Sequence, residues 1–126
     1  MRKAISLISL TSEGLLLTKK KKTWILPGGK PLDGETDYDC LFREINEELG
    51  LSKEQISITN YYKNFIGRTP HEGDLLENIV YFGTLKGKIK PSNEISEAKY
   101  IINFEKYNLS DITQKIVNSL KEDKYL

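Results

Sequence analysis

Between Pro27 and Gly50 the chain can build only one long regular element, and both of its ends are marked in the sequence. TWILPGG reads as a short strand that stops where a proline and two glycines forbid regular structure. The loop KPLDGE follows, and then Thr36, a good helix N-cap, with Asp39 three residues on to complete an exchange of the capping-box kind. Leu41, Ile45 and Leu49 recur every four residues with Phe42 on their flank, and Gly50 suits the left-handed position after a last turn. The spacing predicts an amphipathic helix from about Asp37 to about Leu49. At about 100° per residue its apolar stripe fills an arc of roughly 80°, while Glu44, Glu47 and Glu48 occupy a separate face. Like charges three and four residues apart repel, and one arginine, Arg43, placed to pair with Glu47, cannot neutralise three carboxylates.

An acidic helix face is by default a solvated face. Here it follows a loop with glycines at 28, 29 and 34, whose bare backbone lets a ligand come close. Carboxylate oxygens and a backbone carbonyl are the hard ligands that Mg²⁺ or Mn²⁺ prefers, and such ions are usually held by a few carboxylates together with substrate phosphates. The pattern points to phosphate chemistry, with a divalent cation neutralising charge on the transferring group.

The rest of the chain reads as strands and one more helix. AISLISL (4–10) and GLLLTKK (14–20), separated by a tight turn, predict a hairpin. QISITNYYKNFIGRT and ENIVYFGTLKG predict two long strands of one sheet, with RTPHEGD between them, and AKYIINF a last strand after the polar loop KIKPSNEISE. Ile112, Ile116, Val117 and Leu120 behind Ser110 predict a C-terminal amphipathic helix from Asp111 to about Lys121. The 126 residues suffice for one domain with a sizeable core and are too few for two of ordinary size. A formal net charge of +1 gives no global field that would advertise nucleic acid or membrane as partner. Cys40, the one cysteine, excludes an internal disulfide, and with it the expectation is a cytoplasmic protein. MRKAISLISLTSEG has a basic start and a short apolar run, but it lacks a small-residue cleavage site and is read as the first strand. No stretch approaches the roughly 18 apolar residues of a membrane span.

The window from Gly29 to Leu51, GKPLDGETDYDCLFREINEELGL, resembles the signature of the Nudix hydrolases: Gly, five residues, Glu, seven residues, then Arg-Glu-apolar-x-Glu-Glu-x-Gly-apolar. Every fixed position is matched, by Gly29, Glu35, Arg43, Glu44, Ile45, Glu47, Glu48, Gly50 and Leu51. The resemblance implies one α/β/α sandwich domain over residues 1–126, with a mixed curved sheet, the glutamate helix at its centre and the second helix at its end. It also implies hydrolysis of a nucleoside diphosphate linked to another group, by attack of water on phosphorus with Mg²⁺ or Mn²⁺ bound. Glu47 and Glu48 become the principal metal ligands, with the carbonyl of Gly28 as a further one, and Glu44 a ligand or the general base. Arg43 and Glu35 orient the ligating carboxylates. The family often adds an acidic residue from a downstream loop, for which Glu94 is the candidate and Glu97 the runner-up.

Other residues carry weaker expectations. Lys30, Trp24 and Tyr62 are candidate substrate contacts, Trp24 through stacking on a base, although an aromatic in a strand is more often core. The adjacent Tyr61 and Tyr62 belong to opposite faces of their strand. The run of four lysines from Lys19 to Lys22 favours a solvated hairpin end over a phosphate contact. His71 defaults to solvent in its polar loop, the alternative being a substrate contact or proton carrier, and Cys40 defaults to packing. The expected substrate is a free nucleoside triphosphate, giving monophosphate and pyrophosphate. The alternatives are ADP-ribose, a dinucleotide polyphosphate or a capped RNA end, the one form in which nucleic acid enters as partner. A nucleotide-sensing domain without turnover is disfavoured by the intact charged positions. Monomer and homodimer are both compatible with the sequence.

Overall fold

The protein is described here by a computed structural model covering residues 1–69 and 72–126. Eight strands and two α-helices follow in the order β1 (Arg2–Ile8), β2 (Leu10–Thr11), β3 (Gly14–Lys20), β4 (Thr23–Ile25), β5 (Gly28–Gly29), α1 (Asp37–Leu49), β6 (Ile56–Arg68), β7 (Leu75–Leu85), β8 (Ile95–Ile101) and α2 (Asp111–Glu122). One sheet runs β5-β1-β7-β6; in the other, β3 has β2 and β4 along one edge and β8 along the opposite one. β1 and β7 are parallel, with Ile5 opposite Ile79, and the other pairings between these strands are antiparallel.

The expected hairpin between the first two long strands is not formed. Only the two-residue β2 turns back on β3, pairing Leu10 with Leu15, while β1 sits in the other sheet between β5 and β7. The reason is visible in its burial: Ala4, Ile5, Ser6, Leu7 and Ile8 are buried without a break, so the strand has no solvent face and needs layers on both sides. The last strand also starts earlier than expected, taking Ile95, Ser96 and Glu97 out of the polar loop into β8. The mixed sheet thus resolves into two sheets of four strands each.

The two helices cover opposite faces. Ile5 and Leu7 of β1 and Leu16 of β3 pack with Leu41, Ile45 and Leu49 of α1 in one cluster. Ile8, Leu15 and Leu17 pack with Ile112, Ile116, Val117 and Leu120 of α2 in the other. Alternate residues of the same strands therefore serve alternate helices, the period-two rule applied to strands with no outer surface. Both helices carry their predicted caps: Thr36 accepts from the Asp39 amide at 3.1 Å, and Ser110 from the Thr113 amide at 3.1 Å. Gly50 takes the left-handed conformation, φ 71°, and closes α1 on the Asn46 carbonyl. The last carbonyls of α1 are also taken up by the incoming loop, since Lys90 N donates to Leu49 O and Ser92 N to Glu48 O, each at 2.9 Å. That loop leads directly into Glu94 and β8, so the end of α1 fixes where the downstream acidic residue stands.

Ile45 is fully buried at the centre of the contact between α1 and the sheets. Ile45→Ala is expected to lower unfolding stability by about 2–5 kcal/mol, read as a reduced urea midpoint at unchanged slope. A midpoint equal to that of the wild type contradicts this packing.

Candidate active site

α1 reaches the PGG turn at two points, and both depend on the absence of a side chain. Gly28 has φ 142° and its hydrogen, replaced by a Cβ, would put carbon 2.0 Å from the Ile5 carbonyl oxygen, so the backbone of β5 lies directly against β1. A Cβ on Gly29 would fall 2.3 Å from Glu44 Oε2. The two carboxylates facing this turn are those of Glu44 and Glu48. Glu48 Oε1 accepts from the Gly28 amide at 3.1 Å. Burial pushes the Glu48 carboxyl up to about 8, against the lowering effect of that amide, and the residue is half-buried. Burial raises Glu44 too, opposed by its hydrogen bond from Arg43.

Arg43 organises the acidic face. Its Nε and Nη2 grip Glu35 in a two-pronged pair at 2.8 and 2.9 Å, Nη1 donates to Glu44 Oε1 at 2.5 Å and lies 3.6 Å from Glu47 Oε2, and Nη2 also reaches the Lys30 carbonyl at 3.0 Å. The expectation that Arg43 and Glu35 orient the other carboxylates has its geometric counterpart in this fork. Arg43, helped by the Leu32 amide, holds the Glu35 carboxyl down at about 2. The sign follows: the stabilisation from the pair is complete at and above the ordinary carboxylate value of 4.5 and is lost as pH falls through about 2.

These groups form one end of a cleft of about 410 Å³, within the roughly 300–1,000 Å³ of small-molecule sites. Gly28, Gly29, Arg43, Glu44, Glu48, Lys20, Lys30 and Glu94 line that end; Ala4, Ser6, Leu76, Asn78, Thr69 and the first turn of α2 line the rest. Glu94 faces the cleft and pairs with Lys20 at 2.8 Å, whereas Glu97 lies away from it, bridged to Lys19 and Lys99 at 3.4 and 3.3 Å. Lysine 20 thus leaves the solvated run to which it was assigned and enters the site, while Lys21 and Lys22 remain exposed. Glu47 stands at the rim, its side chain 45% exposed and outside the cleft lining.

Two candidate substrate contacts lie elsewhere. Trp24 is 5% exposed and packs edge-to-face on Tyr107, with ring centres 5.1 Å apart, inside the α2-side core. Tyr62 packs on the same core and its hydroxyl meets Ser119 and Asp123 at 2.7 and 2.6 Å. Their apolar rings gain more from the core than from a polar cleft. Tyr61, on the opposite face, is exposed against Tyr81. Cys40 is fully buried, with its thiol pushed up to about 12 by that burial, as packing requires. His71 lies outside the described residues. Ser6, Asn78, Thr69 and Ile112 were not found in the sequence, where no motif marks them; the parallel pairing of β1 with β7 and the docking of α2 bring them together.

A hard divalent cation fits the chemistry of this donor set. Among the described residues no three acidic, histidine or cysteine side chains already converge on a common point, because Arg43 holds Glu44 and Glu47 while the Gly28 amide holds Glu48. The desolvated Glu48 and Glu44 carboxylates nevertheless lack the positive charge that would keep both ionised, and Arg43 is already shared between three acids.

Comparison with known proteins supports the same reading of the chain. A family model described as NUDIX domain matches residues 1–121. An RNA pyrophosphohydrolase of Ruthia magnifica subsp. Calyptogena magnifica is 49% identical over 53 residues, which cover 40% of this chain and 30% of that protein. An mRNA-decapping protein g5R of African swine fever virus is 36% identical over 76 residues, covering 56% of this chain and 28% of that protein. The matched stretches thus span less than a third of either relative. Among solved structures, a nudix hydrolase family member from Chromobacterium violaceum superposes with a TM-score of 0.72 at 26% identity, over 97% of this chain and 77% of that one. The MutT protein from Methanosarcina mazei reaches a TM-score of 0.80 at 18% identity, over 98% and 94%, a likeness of fold.

Gly29→Ala is expected to leave the melting temperature within a few degrees, since the obstacle is the end of a side chain, yet to displace Glu44 and reduce any hydrolytic turnover at least about tenfold. Unimpaired turnover in this variant contradicts the role of the close approach. Acid titration gives a second check: between pH 4.5 and 2 the wild type should lose thermal stability more steeply than Glu35→Gln, and parallel curves would show that the fork contributes nothing.

Proposed function

The chain belongs to the Nudix family, and from that premise we propose that it is a divalent-metal-dependent pyrophosphohydrolase that cleaves a nucleoside triphosphate into monophosphate and pyrophosphate. The observation that carries the reading is a single cleft with desolvated carboxylates, Glu44 and Glu48, at one end and a mixed apolar and polar pocket of nucleoside size at the other. Mg²⁺ or Mn²⁺, when bound by Glu48, Glu47, Glu94 and the Gly28 carbonyl, supplies charge neutralisation at the diphosphate and lowers the pKa of water.

The chain's own residues do the rest. Water attacks phosphorus, a P–O bond forms, the bridging P–O bond breaks, and the proton of the water passes to a carboxylate. Glu44 is the base: it lies on the cleft wall, and its raised pKa puts it nearer the working pH than an ordinary glutamate. Arg43 keeps Glu44 and Glu47 in place and limits their motion toward solvent. Lys20 and Lys30 line the same end of the cleft, with positive charge for the released pyrophosphate.

A second reading, removal of pyrophosphate from an RNA 5′ end, is favoured by the names of the RNA pyrophosphohydrolase and the mRNA-decapping protein among the relatives. It breaks the same linkage. Incubation of a panel of nucleoside triphosphates, sugar nucleotides, ADP-ribose, dinucleotide polyphosphates and 5′-triphosphorylated RNA with Mg²⁺ or Mn²⁺, with chromatography of the products, separates the readings. Nucleoside triphosphates are expected to be cleaved fastest; faster release of pyrophosphate from RNA transfers the assignment to the second reading, and tight binding without any cleavage transfers it to a sensor. Glu48→Gln should remain folded and lose at least about two orders of magnitude in turnover. Near-normal activity in that variant would sink the assignment of the site.

A further inference from the structure

Two adjacent lysines at the end of β3 go to different acids. Lys19 bridges to Glu97, away from the cleft, at 3.4 Å, and Lys20 to Glu94, on the cleft wall, at 2.8 Å. Adjacent side chains of a strand leave it on opposite faces, and the pairing of β3 with β8 is irregular at this point. Lys19 stands opposite Glu97 but Lys20 opposite Ile95, so that Ser96 is an extra residue in β8. A bulge of this kind bends its strand and re-aims the side chains around it. This one lies across from Lys20 and just after Glu94.

The two cations that meet the acids at this end of the cleft, Arg43 and Lys20, are held very differently. Arg43 is locked, because two of its nitrogens grip Glu35, whose side chain is only 13% exposed. Lys20 reaches its acid through one contact on a flexible four-carbon stem, and the side chain of Glu94 is 73% exposed, so the pair is weak. The charge of Lys20 is also felt at Glu48, where it acts against the effect of burial on the carboxyl. Lys20 therefore serves two of the carboxylates that hold the metal in the reading above, and unlike Arg43 it can leave Glu94 without breaking a second contact.

Resting on that metal-dependent reading, we propose that Lys20 is an exchangeable counter-charge: its ammonium gives up Glu94 to a divalent cation and takes a phosphate of the substrate in return. Toward a metal ion alone, Lys20 is a like charge at the site and opposes binding. A diphosphate gives the ammonium a new partner, so the same residue favours metal and substrate together. Lys20 thereby couples the two ligands: it disfavours the metal alone and rewards its uptake with the diphosphate.

Titration of Mn²⁺ into the protein, followed by the electron paramagnetic resonance of the free ion, and calorimetric binding of methylenediphosphonate at saturating Mn²⁺ test the proposal. They are run on the wild type, on Lys20→Met and on Lys22→Met, which removes an exposed lysine of the same run. Lys20→Met is expected to bind Mn²⁺ at least about threefold more tightly and methylenediphosphonate at least about threefold more weakly, the scale of one exposed ion pair. Lys22→Met should move neither affinity beyond about twofold. Unchanged or weaker Mn²⁺ binding in Lys20→Met, unchanged or tighter binding of methylenediphosphonate, equal shifts in Lys22→Met, or no Mn²⁺ binding by the wild type overturns the proposal. If Lys20→Met does not fold, Lys20→Gln carries the same comparison. Turnover of nucleotides by the wild type keeps the two readings apart. Metal-dependent cleavage with unshifted affinities in Lys20→Met removes the role of Lys20 and leaves the hydrolase. Opposite shifts of the two affinities with no nucleotide cleaved remove the hydrolase and leave the exchange.

Discussion

The contact between the Glu48 carboxylate and the Gly28 amide sets the terms for much of this structure. A carboxylate pressed against a backbone turn and pushed up to about 8 by burial is costly, so the molecule holds it there only because several other elements converge. β5 lies so close to β1 that no side chain fits between them, α1 is anchored by a fully buried apolar stripe, and the loop before β8 closes the end of α1. Each of these serves the fold. Together they hold two glutamates of one helix face at a glycine turn, with the fork of Arg43 on Glu35, Glu44 and Glu47 keeping the acidic side chains from swinging away. The charge concentration that looks unfavourable in an isolated helix becomes a poised site in the folded chain.

The layered architecture explains why the cleft has two characters. β1, buried on both faces, and its parallel neighbour β7 present one row of side chains to α1 and the other to α2 and the cleft. The α1 row is uniformly apolar where it forms the core. The other row is interrupted, by Ser6 on β1 and Asn78 on β7, where the docking of α2 leaves a gap. On the proposed reading, phosphate chemistry belongs to the α1 end and the rest of a nucleotide to the α2 end. Gly67 contributes to this division: a Cβ there would meet the Asp111 and Ile112 side chains at 2.5 and 2.6 Å, so the start of α2 sits directly on β6.

The interior also shows how aromatic residues are apportioned. Trp24 and Tyr62, plausible base-stacking residues on chemistry alone, are drawn into the α2-side core, where Tyr62 joins Phe82 and Tyr125 at ring distances of 5.0 and 5.9 Å. Large apolar rings bury more surface there than a half-open cleft offers. Among the described residues the cleft lining holds no aromatic side chain.

By itself the sequence determined the elements whose signals are local. The helix from Asp37 to Leu49, its cap at Thr36, its end at Gly50, the second helix behind Ser110 and the two long strands were all legible, because capping, glycine conformation and hydrophobic period act over a few residues. The charged pattern from Glu35 to Glu48 was legible for the same reason, since one helix and the loop before it carry all of it. Only the tertiary structure decided which strands pair, that the first strand leaves its apparent hairpin for a parallel place beside β7, and that Lys20 and Glu94 enter the site while Trp24 does not. Those outcomes depend on residues distant in the chain being buried on both faces of shared strands. Asn78 is the sharpest case: in sequence it is one polar residue in a strand, and only the pairing of β7 with Ala4 on β1 and the docking of α2 bring it to the cleft.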